Sequence, residues 1–112
     1  MNSKQRRLLN KMKKLIREGK KSFIDRSDRS YKEDLLEIGI SEYEAWFVHI
    51  MYLQDINYFV DYKPDYYKSG ESLVFKKNIN KKLVYIKLKI ENDKDNNEEC
   101  VCLSFHIDRG RY

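Results

Sequence analysis

Two apolar stretches near the C-terminal end of the chain carry residue types that suit acid–base chemistry on RNA. Residues 81–106 read KKLVYIKLKIENDKDNNEECVCLSFH. Successive side chains of a β-strand point to opposite faces, so Tyr85 and Lys87 share one face of the first strand, and Ser104 and His106 share one face of the second. If the strands are neighbours with their aliphatic faces packed together, these four side chains lie on one surface.

Such a surface has the groups that cleavage of RNA without a metal requires. The reaction needs a base for the 2′-hydroxyl, an acid for the leaving oxygen and cations for the phosphate. Histidine titrates near neutrality, tyrosine carries a transferable proton or stacks on a base, and lysine balances phosphate charge. The residue types also fit a second interpretation, because the solvent-facing half of an antiparallel sheet is normally polar.

Strict alternation assigns every side chain of the two strands to a face. The predicted buried face holds Val84, Ile86, Leu88, Ile90, Val101, Leu103, Phe105 and Ile107. The other face is predicted to be exposed and to hold Cys100 and Cys102 beside His106. Two cysteines and one histidine are an incomplete zinc set, so the sequence predicts no metal and no other cofactor.

The charge distribution suggests a polyanionic partner. The formal net charge is +5. Residues 1–21 hold nine Lys or Arg and one Glu, whereas residues 22–71 hold five basic and eleven acidic residues. The last part, residues 72–112, is basic again, with nine Lys or Arg and six acidic residues. Basic surfaces attract nucleic acid, although a solvated helix face would show the same pattern at the N-terminus.

Length and composition limit the class of protein. The chain has 112 residues, of which 41% are hydrophobic, so we expect one domain spanning residues 1–112 with one modest core. The sequence contains neither an apolar run of membrane-spanning length nor a signal peptide. Two cysteines one residue apart form a poor disulfide framework. These features predict a reduced, cytoplasmic protein that does not bind a membrane.

The pattern of apolar and breaker residues predicts an α+β fold. Amphipathic periodicity predicts a helix over residues 4–18, and capping boxes at Ser30 and Ser41 predict two more. His49, in the third helix, is predicted to be a polar surface residue. A short strand is predicted over 21–25, and residues 56–62 are compatible with another. Three long strands over 73–79, 82–91 and 100–107 are expected to form an antiparallel meander packed on the N-terminal helices.

Part of the sequence resembles a known family. LVFKKNINKKLVYIKLKI at residues 73–90, followed by VCLSFH at 101–106, is similar to the C-terminal half of the MqsR (motility quorum-sensing regulator) toxins. The combination of Y-I-K-L-K with S-F-H carries the resemblance, which covers residues 35–107. It implies a RelE-like ribonuclease fold and a type II toxin that cleaves mRNA without a metal. It also implies a cognate antitoxin protein as partner.

The resemblance implies roles for individual residues. Tyr85 matches the tyrosine of the catalytic face, and His106 stands where the best-known branch has a catalytic lysine. Lys77 and Lys87 match the lysines expected to stabilise the scissile phosphate. RNA binding is assigned to Lys63, Lys76, Lys89 and Ser104.

The chain departs from the family pattern at two positions. Lys76 stands where many members have glycine, and Val60 stands where the best-known branch places a further catalytic lysine. Lys63 is the residue predicted to take over that role. These departures leave open which groups would transfer protons.

Two other functions remain open at this stage. One is a nucleic-acid-binding protein without catalysis, or an inactive regulator of the same fold. The other is a protein-interaction domain whose basic helix, residues 4–18, docks an acidic partner.

Overall fold

The computed structural model describes residues 1–59 and 71–110, which form an α+β fold. In chain order the helices and strands are α1 (Ser3–Arg17), β1 (Lys21–Phe23), α2 (Tyr31–Ile38), a π-helical segment (Glu44–His49), 3₁₀ turns (Ile50–Tyr52 and Asp55–Asn57), β2 (Tyr58–Phe59), β3 (Ser72–Ile79), β4 (Lys82–Asn92) and β5 (Glu98–Ile107). The predicted helices and long strands are therefore present, and the long strands run one or two residues further than expected.

The five strands form a mixed sheet in the order β1-β5-β4-β3-β2. Strands β3, β4 and β5 form the predicted antiparallel meander. The prediction of a purely antiparallel sheet is wrong, however, because β1 pairs with β5 in parallel, with Lys21 opposite Cys100 and Phe23 opposite Cys102. The chain crosses from β1 to β5 through all the other elements, a long-range pairing that local sequence patterns do not specify.

Helix α1 packs its apolar stripe against the sheet and leaves its basic residues outside. Asn2 closes a capping box with Gln5 at the N-terminus, and Leu9, Met12 and Ile16 are buried. The helix contains seven Lys or Arg residues and no Asp or Glu. No helix within the described part of the chain is long and apolar enough to cross a membrane.

The second and third helical segments begin at the predicted caps. Ser30 accepts a hydrogen bond from the Glu33 amide, and α2 ends at Gly39, whose φ of 90° favours glycine. Ser41 and Glu44 cap the third segment reciprocally. That segment then continues as a π-helix rather than a regular α-helix.

The turn between β3 and β4 follows directly from two residues. Asn80 and Lys81 have φ values of 50° and 65°, which is the left-handed conformation of a two-residue hairpin turn. The Asn80 side-chain amide also donates a hydrogen bond of 3.1 Å to the carbonyl of Ile38. The predicted turn is confirmed, and it sets the register of β3 against β4.

The helices cover one face of the sheet, which we call the helix-packed face. The sheet side chains buried in the core on this face include Leu73, Phe75, Val84, Ile86, Leu88, Cys100, Cys102 and Phe105. The other face, which we call the second face, carries Val74, Lys76, Tyr85, Lys87, Lys89, Val101, Ser104 and His106. Residues of the candidate site must be assigned to one of these two faces.

A β-bulge in β5 changes the predicted faces of half that strand. Lys87 pairs with Ser104, but the next residue, Leu88, pairs with Cys102, so Leu103 is an extra residue without a partner in β4. Ser104, Phe105, His106 and Ile107 lie on the predicted faces. On the other side of the bulge the prediction is wrong, because Cys100 and Cys102 belong to the core and Val101 to the second face. Leu103, predicted to be buried, is half-buried.

Candidate functional site

Tyr85 and His106 are direct neighbours across the β4–β5 ladder. Their rings lie on the second face, with centroids 5.4 Å apart and an angle of 24° between the planes. This offset stacking is a favourable aromatic geometry. The predicted common surface for these two side chains is therefore present in the fold, which also brings their rings into contact. The tight Asn80-Lys81 turn helps position Tyr85 through the β3–β4 register.

Two lysines flank the stacked rings. Lys76 lies opposite Tyr85 on β3, and Lys87 lies opposite Ser104 on β5. The ammonium of Lys76 contacts the carboxylate of Asp108 at 2.7 Å and lies 4.0 Å from the ring centroid of Phe59. Within residues 1–59 and 71–110, Lys87 forms no ion pair. Lys87 is therefore better placed than Lys76 to contact a phosphate.

The second face is less exposed than the alternation pattern predicts. Tyr85 is 7% exposed and His106 is 4% exposed, so the expectation that both face solvent is wrong. Lys89, predicted to bind RNA, is 3% exposed, and its ammonium lies 3.7 Å from Glu91. Lys89 is thus a buried ion-pair partner. Ser104 and Lys87 are half-buried.

The surroundings of His106 favour its neutral form. Burial lowers the pKa of His106, and this outweighs the hydrogen bond to the carbonyl of Ile107, which acts in the opposite direction. The Nδ1 atom lies 3.1 Å from that carbonyl oxygen. Because a carbonyl only accepts, Nδ1 carries the proton and Nε2 is the nitrogen that can accept one. Neutral imidazole with a basic Nε2 is the form that a general base requires.

Two carboxylates near His106 were not identified from the sequence. Burial alone would raise the pKa of Asp108, but hydrogen bonds from Lys76 and from the Gly110 amide outweigh it and lower the pKa. Asp34 of α2 is 3% exposed and accepts two hydrogen bonds from Arg26, at 2.8 and 3.1 Å. Asp108 could have been found by extending the alternation two residues beyond His106. No pattern in the sequence indicated that Asp34 would lie near His106.

Lys77 lies on the wrong face for its predicted role. It pairs with Val84, whose side chain belongs to the core, so Lys77 points to the helix-packed face while Lys76 points to the second face. The prediction that Lys77 joins Lys87 at one phosphate is therefore wrong. Burial lowers the pKa of Lys77.

His49 lies near Lys77 on the helix-packed side, and it is not the surface residue that was predicted. It is half-buried, and its Nδ1 has no hydrogen-bond partner among the described residues. Burial, followed by the nearby positive charge of Lys77, lowers the pKa of His49. The two histidines of the chain thus lie on opposite sides of the sheet.

The other predicted site residues fall into two groups. Lys63 and Val60 lie outside the described residues. Cys100 and Cys102 are separated from His106 by the sheet itself, since the bulge turns both thiols into the core. Burial raises the pKa of Cys100 to about 12. No group of three or more metal-ligating side chains occurs in the part of the chain that the structure describes.

Comparison of the chain with protein-family models, curated proteins and solved structures finds no match in any of the three. The resemblance to MqsR toxins therefore stays a prediction from residues 73–106. Any function must be argued from the site itself.

Proposed function

We propose that this chain is a metal-independent endoribonuclease of the toxin type, with its chemistry on the second face of the sheet. The observation that carries the proposal is the stacked Tyr85–His106 pair with Lys87 two residues further along β4, on the same face. A proton acceptor, a hydroxyl donor and a cation are the three groups that cleavage at the 2′-hydroxyl uses.

The proposed reaction is an internal transesterification of RNA. The Nε2 atom of His106 takes the proton of the 2′-hydroxyl, and the 2′-oxygen attacks the adjacent phosphorus. The bond to the 5′-oxygen breaks, and the Tyr85 hydroxyl gives this oxygen a proton. Lys87 stabilises the negative charge on the phosphate oxygens. The products are a 2′,3′-cyclic phosphate and a 5′-hydroxyl, and no metal takes part.

The proposal is tested by incubating the purified protein with RNA in the presence and absence of EDTA. We expect cleavage that EDTA does not change, with 2′,3′-cyclic or 3′-phosphate ends on the upstream fragments. The His106→Gln variant, purified in the same way, controls for contaminating ribonuclease. Equal cleavage by wild type and His106→Gln, or 3′-hydroxyl ends, would contradict the proposed chemistry.

The toxin assignment has a separate test in cells. Induced expression of the wild-type chain should arrest growth, and co-expression of a small protein encoded beside it should relieve the arrest. The His106→Gln chain should arrest growth far less. Unimpaired growth with confirmed wild-type expression would remove the toxin assignment, while the RNA assay would still decide the chemistry.

A second candidate function is RNA binding without cleavage. The burial of Tyr85 and His106 favours it, because a substrate must contact both groups for catalysis. Exposed cations of α1, in contrast, can contact phosphate directly, among them Arg7, Lys14 and Arg17. Retention of RNA by the protein without any cleaved product supports this candidate. Product formation that depends on His106 excludes it.

A further inference from the structure

A cavity of about 450 Å³ opens beside β1 on the helix-packed side of the sheet. Its position follows from the register, since Lys21 and Phe23 pair with Cys100 and Cys102, whose side chains lie in the core. Five of the residues that line the cavity are aromatic. The cavity is therefore on the other side of the sheet from Tyr85 and His106.

The aromatic side chains that line the cavity form a wall of two contacting groups. Tyr31 stacks on Phe23 with centroids 4.7 Å apart and planes 10° apart, and Phe23 in turn contacts Trp46 at 4.7 Å. Tyr43 packs against Phe47 at 5.0 Å. Tyr43 is 68% exposed, so this end of the wall is open to solvent. Such a surface offers ring faces on which a planar group can stack.

Two opposite charges border the wall. The Lys21 ammonium lies 5.9 Å from the Trp46 centroid and 5.4 Å from the Phe47 centroid. Glu42 also lines the cavity, and its carboxylate, together with burial, raises the pKa of Tyr31. The site thus combines a stacking surface with one cation and one carboxylate acceptor.

We propose that this cavity binds one nucleotide of an RNA chain. A volume of this size suits a small planar ligand. The base stacks on Tyr43 and Phe47, its exocyclic amino group donates to Glu42, and its phosphate contacts Lys21. The proposal rests on the proposed function for its choice of RNA, and it adds a base-binding subsite distant from the site of cleavage.

The Glu42 carboxylate gives the subsite a preference. Stacking by itself accepts any base, because every base has a π-face. Glu42 accepts hydrogen bonds and does not donate them, so bases with an amino group gain a contact that uracil, which has none, lacks. We therefore expect AMP, CMP and GMP to bind more tightly than UMP.

Trp46 provides a reporter inside the cavity, because it is the only tryptophan of the chain. Its indole N–H gives one resonance in ¹H–¹⁵N spectra, which is followed while each of the four nucleoside monophosphates is added. We expect saturable shifts with AMP, CMP and GMP and a weaker response with UMP. Tyr43→Ala should lower the affinity about 5- to 100-fold, the range for loss of one stacking contact.

Matched variants separate the cavity from general effects. Tyr52, at 67% exposed, is as accessible as Tyr43 but lies outside the cavity lining, so Tyr52→Ala should bind like wild type. Glu42→Gln should abolish the preference over UMP, and Glu18→Gln should keep it. No saturable indole shift with any nucleotide, or an unchanged affinity in Tyr43→Ala, would overturn the proposal.

The nucleotide-binding test of the cavity does not depend on catalysis at the second face. Tyr85 lies on the second face, so Tyr85→Phe should bind nucleotides as wild type does. Nucleotide binding without RNA cleavage would support the cavity and contradict the proposed function. RNA cleavage without nucleotide binding would contradict the cavity alone.

Discussion

The two faces of the sheet use the same strands for different purposes. On the helix-packed face, aliphatic residues, Phe75 and two cysteines join one core with the helices. On the second face, Tyr85 and His106 are almost as buried, yet they are polar and stand beside lysines. Burying polar groups is unfavourable unless they are hydrogen-bonded, so the polar side chains of this face require partners that aliphatic side chains do not.

The two histidines show how the surroundings of one residue type differ between the two sides of the sheet. His49 on the helix-packed side has an Nδ1 without a hydrogen-bond partner among the described residues, and Lys77 lies nearby. His106 has its Nδ1 fixed by a backbone carbonyl and a tyrosine ring stacked on it. Side-chain type is therefore a weaker guide to function than the face on which the backbone places it.

The largest expected effect is on RNA cleavage, and it distinguishes residues of the second face from residues of the helix-packed face. Tyr85→Phe and His106→Gln should each lower RNA cleavage about 10²–10⁴-fold, because each removes a proton-transfer group. Lys77→Ala and His49→Gln, on the other side of the sheet, should cleave like wild type. Rates are measured on one labelled RNA.

Circular dichroism must show that these variants fold, since Tyr85 and His106 are buried. A loss for Lys77→Ala as large as that for Tyr85→Phe would break the assignment of the chemistry to the second face.

The second prediction tests the burial of the two cysteines through thiol reactivity. Cys100 and Cys102 are both buried on the helix-packed face, and burial raises both pKa values. Because the thiolate is the reactive form, both should react with a thiol reagent at least about 100-fold more slowly in the native than in the unfolded protein.

Leu103→Cys supplies the control, since residue 103 is half-buried at the bulge. The added thiol should react well before the two native ones. Rapid labelling of Cys102 in the native protein would contradict its burial in the core.

A smaller effect is expected for RNA binding. Lys87→Ala should weaken binding several-fold and reduce the slope of log affinity against log salt by about 1, because one phosphate contact is lost. Lys77→Ala is the matched control on the other face. Equal slopes for wild type and Lys87→Ala, measured by fluorescence anisotropy, would show that Lys87 does not contact phosphate.

The smallest effect concerns stability and pH. Burial lowers the pKa of His106 and of His49 below the ordinary value of 6.5. The unfolded chain therefore binds more protons than the native chain below the ordinary pKa of histidine. The free energy of unfolding should decrease as pH falls through about 6.5. Urea unfolding at about pH 7 and about pH 5.5 measures the decrease.

Replacing either histidine with Gln should reduce that decrease, and the more buried His106 should account for more of it. A steeper decrease in His106→Gln than in wild type would show that the pKa of His106 is raised rather than lowered.

Local patterns predicted most of the elements and the common face of two site residues. The caps at Ser30 and Ser41, the stop at Gly39 and the Asn80-Lys81 turn involve residues within a few positions of one another, and each is present. Alternation also placed Tyr85 and His106 on one surface, because both lie on the same side of the Leu103 bulge, between that bulge and the hairpin end of the sheet. The face of Lys77 was not decided locally, since Val74 and Phe75 are both apolar.

The sequence by itself determined the α+β composition, the β3–β4–β5 meander and the basic α1 helix, because these depend on periodicity and on turn residues within short segments. The tertiary structure alone decided the parallel β1–β5 pairing, the extra residue at Leu103 and the burial of the second face. It also brought Phe23, Tyr31 and Trp46 together around one cavity. These features depend on contacts between segments far apart in the chain, and a one-residue change of register moves every following side chain to the other face.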